Sequence, residues 1–279
     1  MRCRFAVLFL LLAVSGCVPR AGDVPRRNAL TVSAASSLTE AFTEIGAAYT
    51  RANPGEPVTF NFAASGVLVS QIKNGAPVDV FAAAGTGELD AVAQEGKVAD
   101  SSRVEFAGNR LVLVVPPKST VAGWGDLKAK GVKHIAIGSP ETVPAGRYAR
   151  ETLMHRNLWN ALEKKLVLGE NVRQVLTYVQ SGDAEAGVVF VTDALKAGTK
   201  VRIVTKANAG RDHAPIVYPA AVIRGTRREA VARRFVTFLN SPEAQAILAK
   251  HGFASLKQPA TPKAKTKPKA VASPSPVNP

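Results

Sequence analysis

Leu30-Thr31-Val32-Ser33-Ala34-Ala35-Ser36-Ser37-Leu38-Thr39-Glu40 is the stretch that decides the fold. A short apolar strand runs into small and hydroxyl residues, and Leu38, Phe42, Ile45 and Tyr49 then recur at helical spacing. Ser37 with Glu40 three residues on fits a capping box at the helix start. The same grammar returns. Val58 to Phe62 reads as a strand, Ala63-Ala64-Ser65-Gly66 as a turn, and Val67, Leu68 and Ile72 as the opening of a helix. Val78 to Phe81 reads as a third strand, followed by a helix through Leu89, Val92 and Ala93 that stops at Gly96.

Further along, His134 to Ile137 predicts a strand, Arg147 to Met154 a helix, Val172, Val175, Leu176 and Val179 the inward face of another helix, and Ala186 to Val191 a buried strand. Strands alternating with helices over Ala29 to Leu256 predict an α/β fold with mainly parallel sheet. Strand ends that deliver serine or alanine to a helix start place unpaired N–H groups and a partial positive charge in one crevice, which suits an anion. Ser37 and Ser65 serve either as donors to that anion or as helix caps alone.

The two ends have another composition. Arg2 and Arg4 precede ten apolar residues, Phe5 to Val14, too few to span a bilayer and suited to a secretory signal, residues 1–16. Val14-Ser15-Gly16-Cys17 resembles a bacterial lipobox, making Cys17 a lipidation site and residues 17–28 a tether to the membrane. Residues 257–279 are nearly all Lys, Pro, Ala, Ser and Thr and are expected to form a disordered tail. These ends hold most of the formal charge: of +15 in total, +4 lies in residues 1–28 and +5 in residues 257–279, leaving +6 between them. No basic stripe with interleaved aromatics occurs, so nucleic-acid binding is not expected. Two cysteines, Cys3 and Cys17, make no disulfide framework, and His134, His155, His213 and His251 contain no i, i+4 pair, so no metal cation site is expected.

In order along the chain stand Ala35-Ser36-Ser37-Leu38-Thr39, Phe62-Ala63-Ala64-Ser65, Gly75-Ala76-Pro77-Val78-Asp79-Val80-Phe81, Gly108-Asn109-Arg110-Leu111, Val143-Pro144-Ala145-Gly146-Arg147-Tyr148-Ala149, Glu170-Asn171-Val172-Arg173, Tyr218-Pro219 and Gly252-Phe253. Taken together they resemble the exported molybdate- and tungstate-binding proteins of ABC importers, over essentially all of Ala29 to Leu256. The resemblance implies a two-lobed periplasmic-binding-protein fold, each lobe a mainly parallel sheet flanked by helices, joined by two hinge crossover strands near Leu111 to Val114 and Val217 to Val222. Lobe one is then 29–110 plus 223–256, and lobe two with its hinge strands 111–222.

The resemblance also implies the site. Ser37 and Ser65, through hydroxyl and amide, and the amides of Ala145 and Val172 would hold a tetrahedral oxyanion, molybdate or tungstate, as ligand rather than cofactor. At Phe190 the sequence departs from the family, whose members commonly place a tyrosine hydroxyl there. Arg147 and Arg173 are expected beside the site rather than on the ligand. The implied role is that of a monomeric lipoprotein at the periplasm or cell surface that passes its ligand to an ABC permease. Sulfate, phosphate or another small anion on the same fold is the nearest alternative. A serine-dependent hydrolase using Ser37 or Ser65 lacks a G-x-S-x-G elbow and a general base in the sequence, and surface adhesion rests on the lipobox and basic tail alone.

Overall fold

A computed structural model describes residues 29–256. The expected signal, lipidated tether and tail, with Cys17 among them, lie outside the described residues. The first sheet has the order β2 (Val58–Ala63), β1 (Leu30–Ala35), β3 (Val80–Ala82), β10 (Val217–Val222) and β4 (Val104–Gly108). The second has the order β7 (Leu166–Gly169), β6 (Ile135–Gly138), β8 (Ala186–Phe190), β5 (Leu111–Val115) and β9 (Arg202–Lys206). Each sheet is mixed. β1 runs parallel to β2 and β3, and β6 parallel to β7 and β8, as the strand-helix alternation predicts. β10 is antiparallel to β3 and β4, and β5 antiparallel to β8 and β9, because these strands bring the chain across from the other lobe. β10, grouped with lobe two in the sequence division, pairs inside the first sheet.

The helices follow from apolar spacing and from their ends. In α1 (Thr39–Ala52), Phe42, Ile45 and Tyr49 are buried at the expected spacing, after a 3₁₀ turn at Ser36–Leu38. Phe42 packs against Phe60, Phe106 and Phe235, with ring centroids 5.6–6.3 Å apart. Each fully buried side chain of this size contributes about 1.5–3 kcal/mol. α6 (Val172–Ser181) buries Val172, Val175, Leu176 and Val179, starts at an Asn171 cap and stops at Gly182, whose φ of 85° a residue with a Cβ adopts only under strain. α4 (Pro144–His155) begins three residues before the predicted Arg147, because Pro144 supplies a preset φ at a position where a missing N–H costs nothing. α2 (Ser65–Lys73), α3 (Thr86–Ala93), α5 (Trp159–Leu162), α7 (Val191–Ala197), α8 (Glu229–Phe238) and α9 (Pro242–Lys250) complete the set.

Close backbone approach fixes the start of α4 on the end of β6. A Cβ added at Gly146 would lie 2.0 Å from the Gly138 carbonyl oxygen, whereas one at Gly87 in α3 would meet nothing within 4 Å. Gly146→Ala is expected to cost about 2–3 kcal/mol of stability, the scale of overpacking against an unyielding neighbour. Gly87→Ala is expected to be neutral or to stabilise by up to about 1 kcal/mol through helix propensity. Thermal unfolding of the two variants checks the contrast.

Candidate functional site

The carboxyl ends of β1, β2, β6, β7 and β8 meet the starts of α1, α2, α4 and α6 around one small cavity. It is lined by Ser36 and Ser37 beyond β1, Ala64 and Ser65 beyond β2, Pro144 and Ala145 at the head of α4, Val172 at the head of α6, and Phe190 at the end of β8. All five residues expected to face a ligand, Ser37, Ser65, Ala145, Val172 and Phe190, are thus brought to a single place. No charged side chain lines it.

The two serines are not caps. The 3₁₀ turn and α1 both start without a side-chain cap bond, and so does α2. The capping box expected at Ser37 and Glu40 does not form, because both side chains have stronger partners. The Ser37 hydroxyl lies 3.0 Å from the Tyr218 hydroxyl, and the Glu40 carboxylate faces a guanidinium on the other lobe. Ser65 Oγ accepts from the Ala84 N–H at 3.1 Å, so its own proton is left for the cavity. At α6 the Asn171 side chain takes the N–H groups of Arg173 and Gln174, and the Asn171 carbonyl takes that of Val175. The Val172 amide stays outside that set. At α4, Pro144 has no N–H and the amides of Gly146 and Arg147 turn back to the Val143 carbonyl, so Ala145 supplies the first-turn donor outside that pair.

Charges surround the cavity without entering it. Arg147 on α4 clamps Glu88 on α3 through both nitrogens of its fork, and Arg173 on α6 clamps Glu40 on α1 in the same way. Both pairs bridge the lobes, with the acid on lobe one and the base on lobe two. Neither arginine lines this cavity, in keeping with their expected place beside the site. Arg173 also brings Nε to 2.9 Å from Asp193 Oδ1, out of line for a hydrogen bond, so this contact is one of charge. Asp193 is wholly buried, and burial pushes its carboxyl up to about 6 against the pull of Arg173. Glu40, Arg173, Lys196, Lys250 and His251 also line a wider opening of about 460 Å³ that shares Ser37 with the cavity.

Sequence reasoning missed these cross-lobe pairs and the Tyr218 contact. Glu40 and Arg173 are 133 positions apart and Ser37 and Tyr218 are 181, distances over which no spacing rule operates. Tyr218 and Asn109 stood inside family-like motifs, the only signal available. Among the described residues no cluster of three or more His, Cys, Asp or Glu could hold a metal ion, and no helix is long and apolar enough to cross a membrane.

Two lobes closed on a cavity of neutral donors define a solute-binding protein. The chain belongs to the bacterial extracellular solute-binding protein family, whose profile matches residues 30–254. It is 38% identical over 252 residues to a putative ABC transporter substrate-binding lipoprotein of Bacillus subtilis, covering 89% of this chain and 95% of that protein. It is 33% identical over 231 residues to the molybdate-binding protein ModA of Haemophilus influenzae, covering 81% and 90%. Among solved structures, the periplasmic molybdate-binding protein of Azotobacter vinelandii superimposes with a TM-score of 0.73 at 26% identity, over 82% of this chain and 100% of that one. The protein is therefore a solute-binding protein and not an enzyme; the hydrolase alternative falls.

The closed arrangement has a checkable lock. The Gly66 N–H on α2 donates to the Thr142 carbonyl of the other lobe at 2.9 Å, and a Cβ at Gly66 would lie 2.6 Å from that oxygen. Gly66→Ala is expected to hold the lobes apart. The ligand-free melting temperature should not fall, since alanine favours the helix by about 0.5–1 kcal/mol, while oxyanion affinity measured by calorimetry should drop.

Proposed function

We propose that this protein captures a tetrahedral oxyanion, molybdate or tungstate, between its lobes and delivers it to an ABC permease. The observation that carries the reading is the lining of the cavity: four helix starts and two serine hydroxyls converge on a space with no side-chain charge of either sign. A dianion there gains hydrogen bonds from fixed dipoles that need no counter-charge stripped of water. A protonated oxyanion is disfavoured, because its own hydroxyl would point at donors. Molybdate, tungstate and sulfate share charge and shape, so selection among them falls to the size of the closed cavity.

Ser37, Ser65, Ala145 and Val172 are the proposed ligand contacts, with Phe190 as an apolar wall. Phe190 is 1% exposed and packs edge-to-face with Tyr218, with centroids 6.0 Å apart. The names of the relatives support molybdate as the ligand, and the B. subtilis relative's name supports a lipid anchor at Cys17. The protein then works as a monomer held at the outer face of a membrane. Capture ends with the lobes closed and the cross-lobe pairs Arg147–Glu88 and Arg173–Glu40 formed, which presents the permease with both lobes in one fixed relation.

Calorimetric titration with molybdate, tungstate, sulfate and phosphate tests the reading. Tight molybdate or tungstate binding with weak sulfate and phosphate binding is expected; preference for sulfate or phosphate overturns the ligand assignment. Ser37→Ala and Ser65→Ala are each expected to weaken molybdate binding by about 1.5–3 kcal/mol, the scale of a hydrogen bond to a charged group. Phe190→Tyr, which offers one more donor at the wall, is expected to tighten it by up to about the same amount while sulfate stays excluded.

A further inference from the structure

We propose that Asn109 and Tyr218 fix the direction of the Ser37 hydroxyl, so that it presents its proton and not a lone pair to the oxyanion. This rests on the reading of the cavity as an oxyanion site. Neither residue lines that cavity, so both are positioning residues that act through Ser37.

The contact between Ser37 Oγ and Tyr218 OH, 3.0 Å long, leaves the direction of donation open, since either hydroxyl can give its proton. If Ser37 gave its proton to Tyr218, a lone pair would face the incoming dianion. Asn109 decides the matter. Its Oδ1 accepts the Arg110 N–H at 2.8 Å, which orients the amide and turns Nδ2 to the opposite side. Nδ2, a donor only, then gives its two hydrogens to Thr192 Oγ1 and to Tyr218 OH, each at 3.1 Å. The phenol oxygen is thereby held as an acceptor toward Asn109. Burial pushes its pKa well up, so the proton stays on it. Asp193, whose charge is felt at Tyr218, makes no hydrogen bond with the phenol, whose partners are Ser37 and Asn109. The phenol proton therefore goes to Ser37 Oγ, and the serine proton is released toward the cavity.

Ser65 reaches the same polarity by a shorter route, accepting from the Ala84 amide, which can only donate. The two serines are thus set alike, one by the backbone and the other by a relay through the hinge. Asn109 sits in the two-residue crossing between β4 and β5, Tyr218 in β10, and Thr192 in α7 of the second lobe. The relay is complete only where the two lobes meet.

The test is a double-mutant cycle read by molybdate titration of wild type, Tyr218→Phe, Ser37→Ala and the double variant, with a melting curve for each. Tyr218→Phe keeps the ring that packs on Phe106, Phe190 and Phe253. It is expected to weaken binding about tenfold in the wild-type background, the scale of a misdirected hydrogen bond to a charge. In the Ser37→Ala background it is expected to change affinity less than about twofold, because there is no hydroxyl left to direct. Asn109→Ala run through the same cycle is expected to repeat this pattern, and carries the test should Tyr218→Phe melt early. An equal loss in both backgrounds, or no loss in either, overturns the relay while the oxyanion reading stands. So does a Ser37→Ala variant that binds as tightly as wild type. Wild type that binds none of molybdate, tungstate, sulfate and phosphate overturns the functional reading and the relay with it.

Discussion

A doubly charged anion held by neutral donors must have those donors fixed before it arrives, because no counter-charge is present to draw them in. On the proposed reading, that constraint accounts for the convergence of the starts of α1, α2, α4 and α6 on one cavity from two different sheets. Each helix start depends on the strand before it. Gly138 and Gly146 approach so closely that no side chain fits between the end of β6 and the head of α4. Asn171 consumes the spare amides at the head of α6 so that the Val172 amide is left over.

The charged residues carry out a different task. The acids Glu40 and Glu88 stand on lobe one, and the bases Arg147 and Arg173 on lobe two, so closure brings opposite charges together on either side of the cavity without placing any charge inside it. Both pairs are largely covered, Glu88 most of all, so the cost of stripping water from the charges offsets much of their attraction. Their effect is geometric, since two bidentate clamps define how the lobes meet. Asp193 adds a buried carboxylate beside Arg173, an arrangement that costs solvation and is tolerated because the guanidinium is within 2.9 Å.

The hinge and the site share residues. Asn109, in the first crossing, bonds to Thr192 on the second lobe and to Tyr218 on the return strand, and Tyr218 bonds to Ser37 at the cavity wall. The contacts between the lobes are therefore continuous with the hydrogen bonds of a serine that faces the cavity. Mixed sheets are the structural condition for this: β10 and β5 enter their sheets antiparallel because the chain has to return, and that return places Tyr218, on the far side of β3 from β1, within reach of Ser37 beyond the end of β1.

By itself the sequence determined the α/β alternation, the helix faces of α1 and α6, and the grouping of small and hydroxyl residues at strand ends, because these are set by side-chain period and by turn chemistry within a dozen residues. It also contained the order of motifs that marked Ser37, Ser65, Ala145, Val172 and Phe190. Only the tertiary structure decided what those serines bond to. The Ser37–Glu40 capping box looked complete locally, yet Tyr218 and Arg173, far along the chain, took both side chains away. Local pattern fixes which groups need partners. Which partner wins depends on burial and on crossing chains, and on neighbours brought close from more than a hundred residues away.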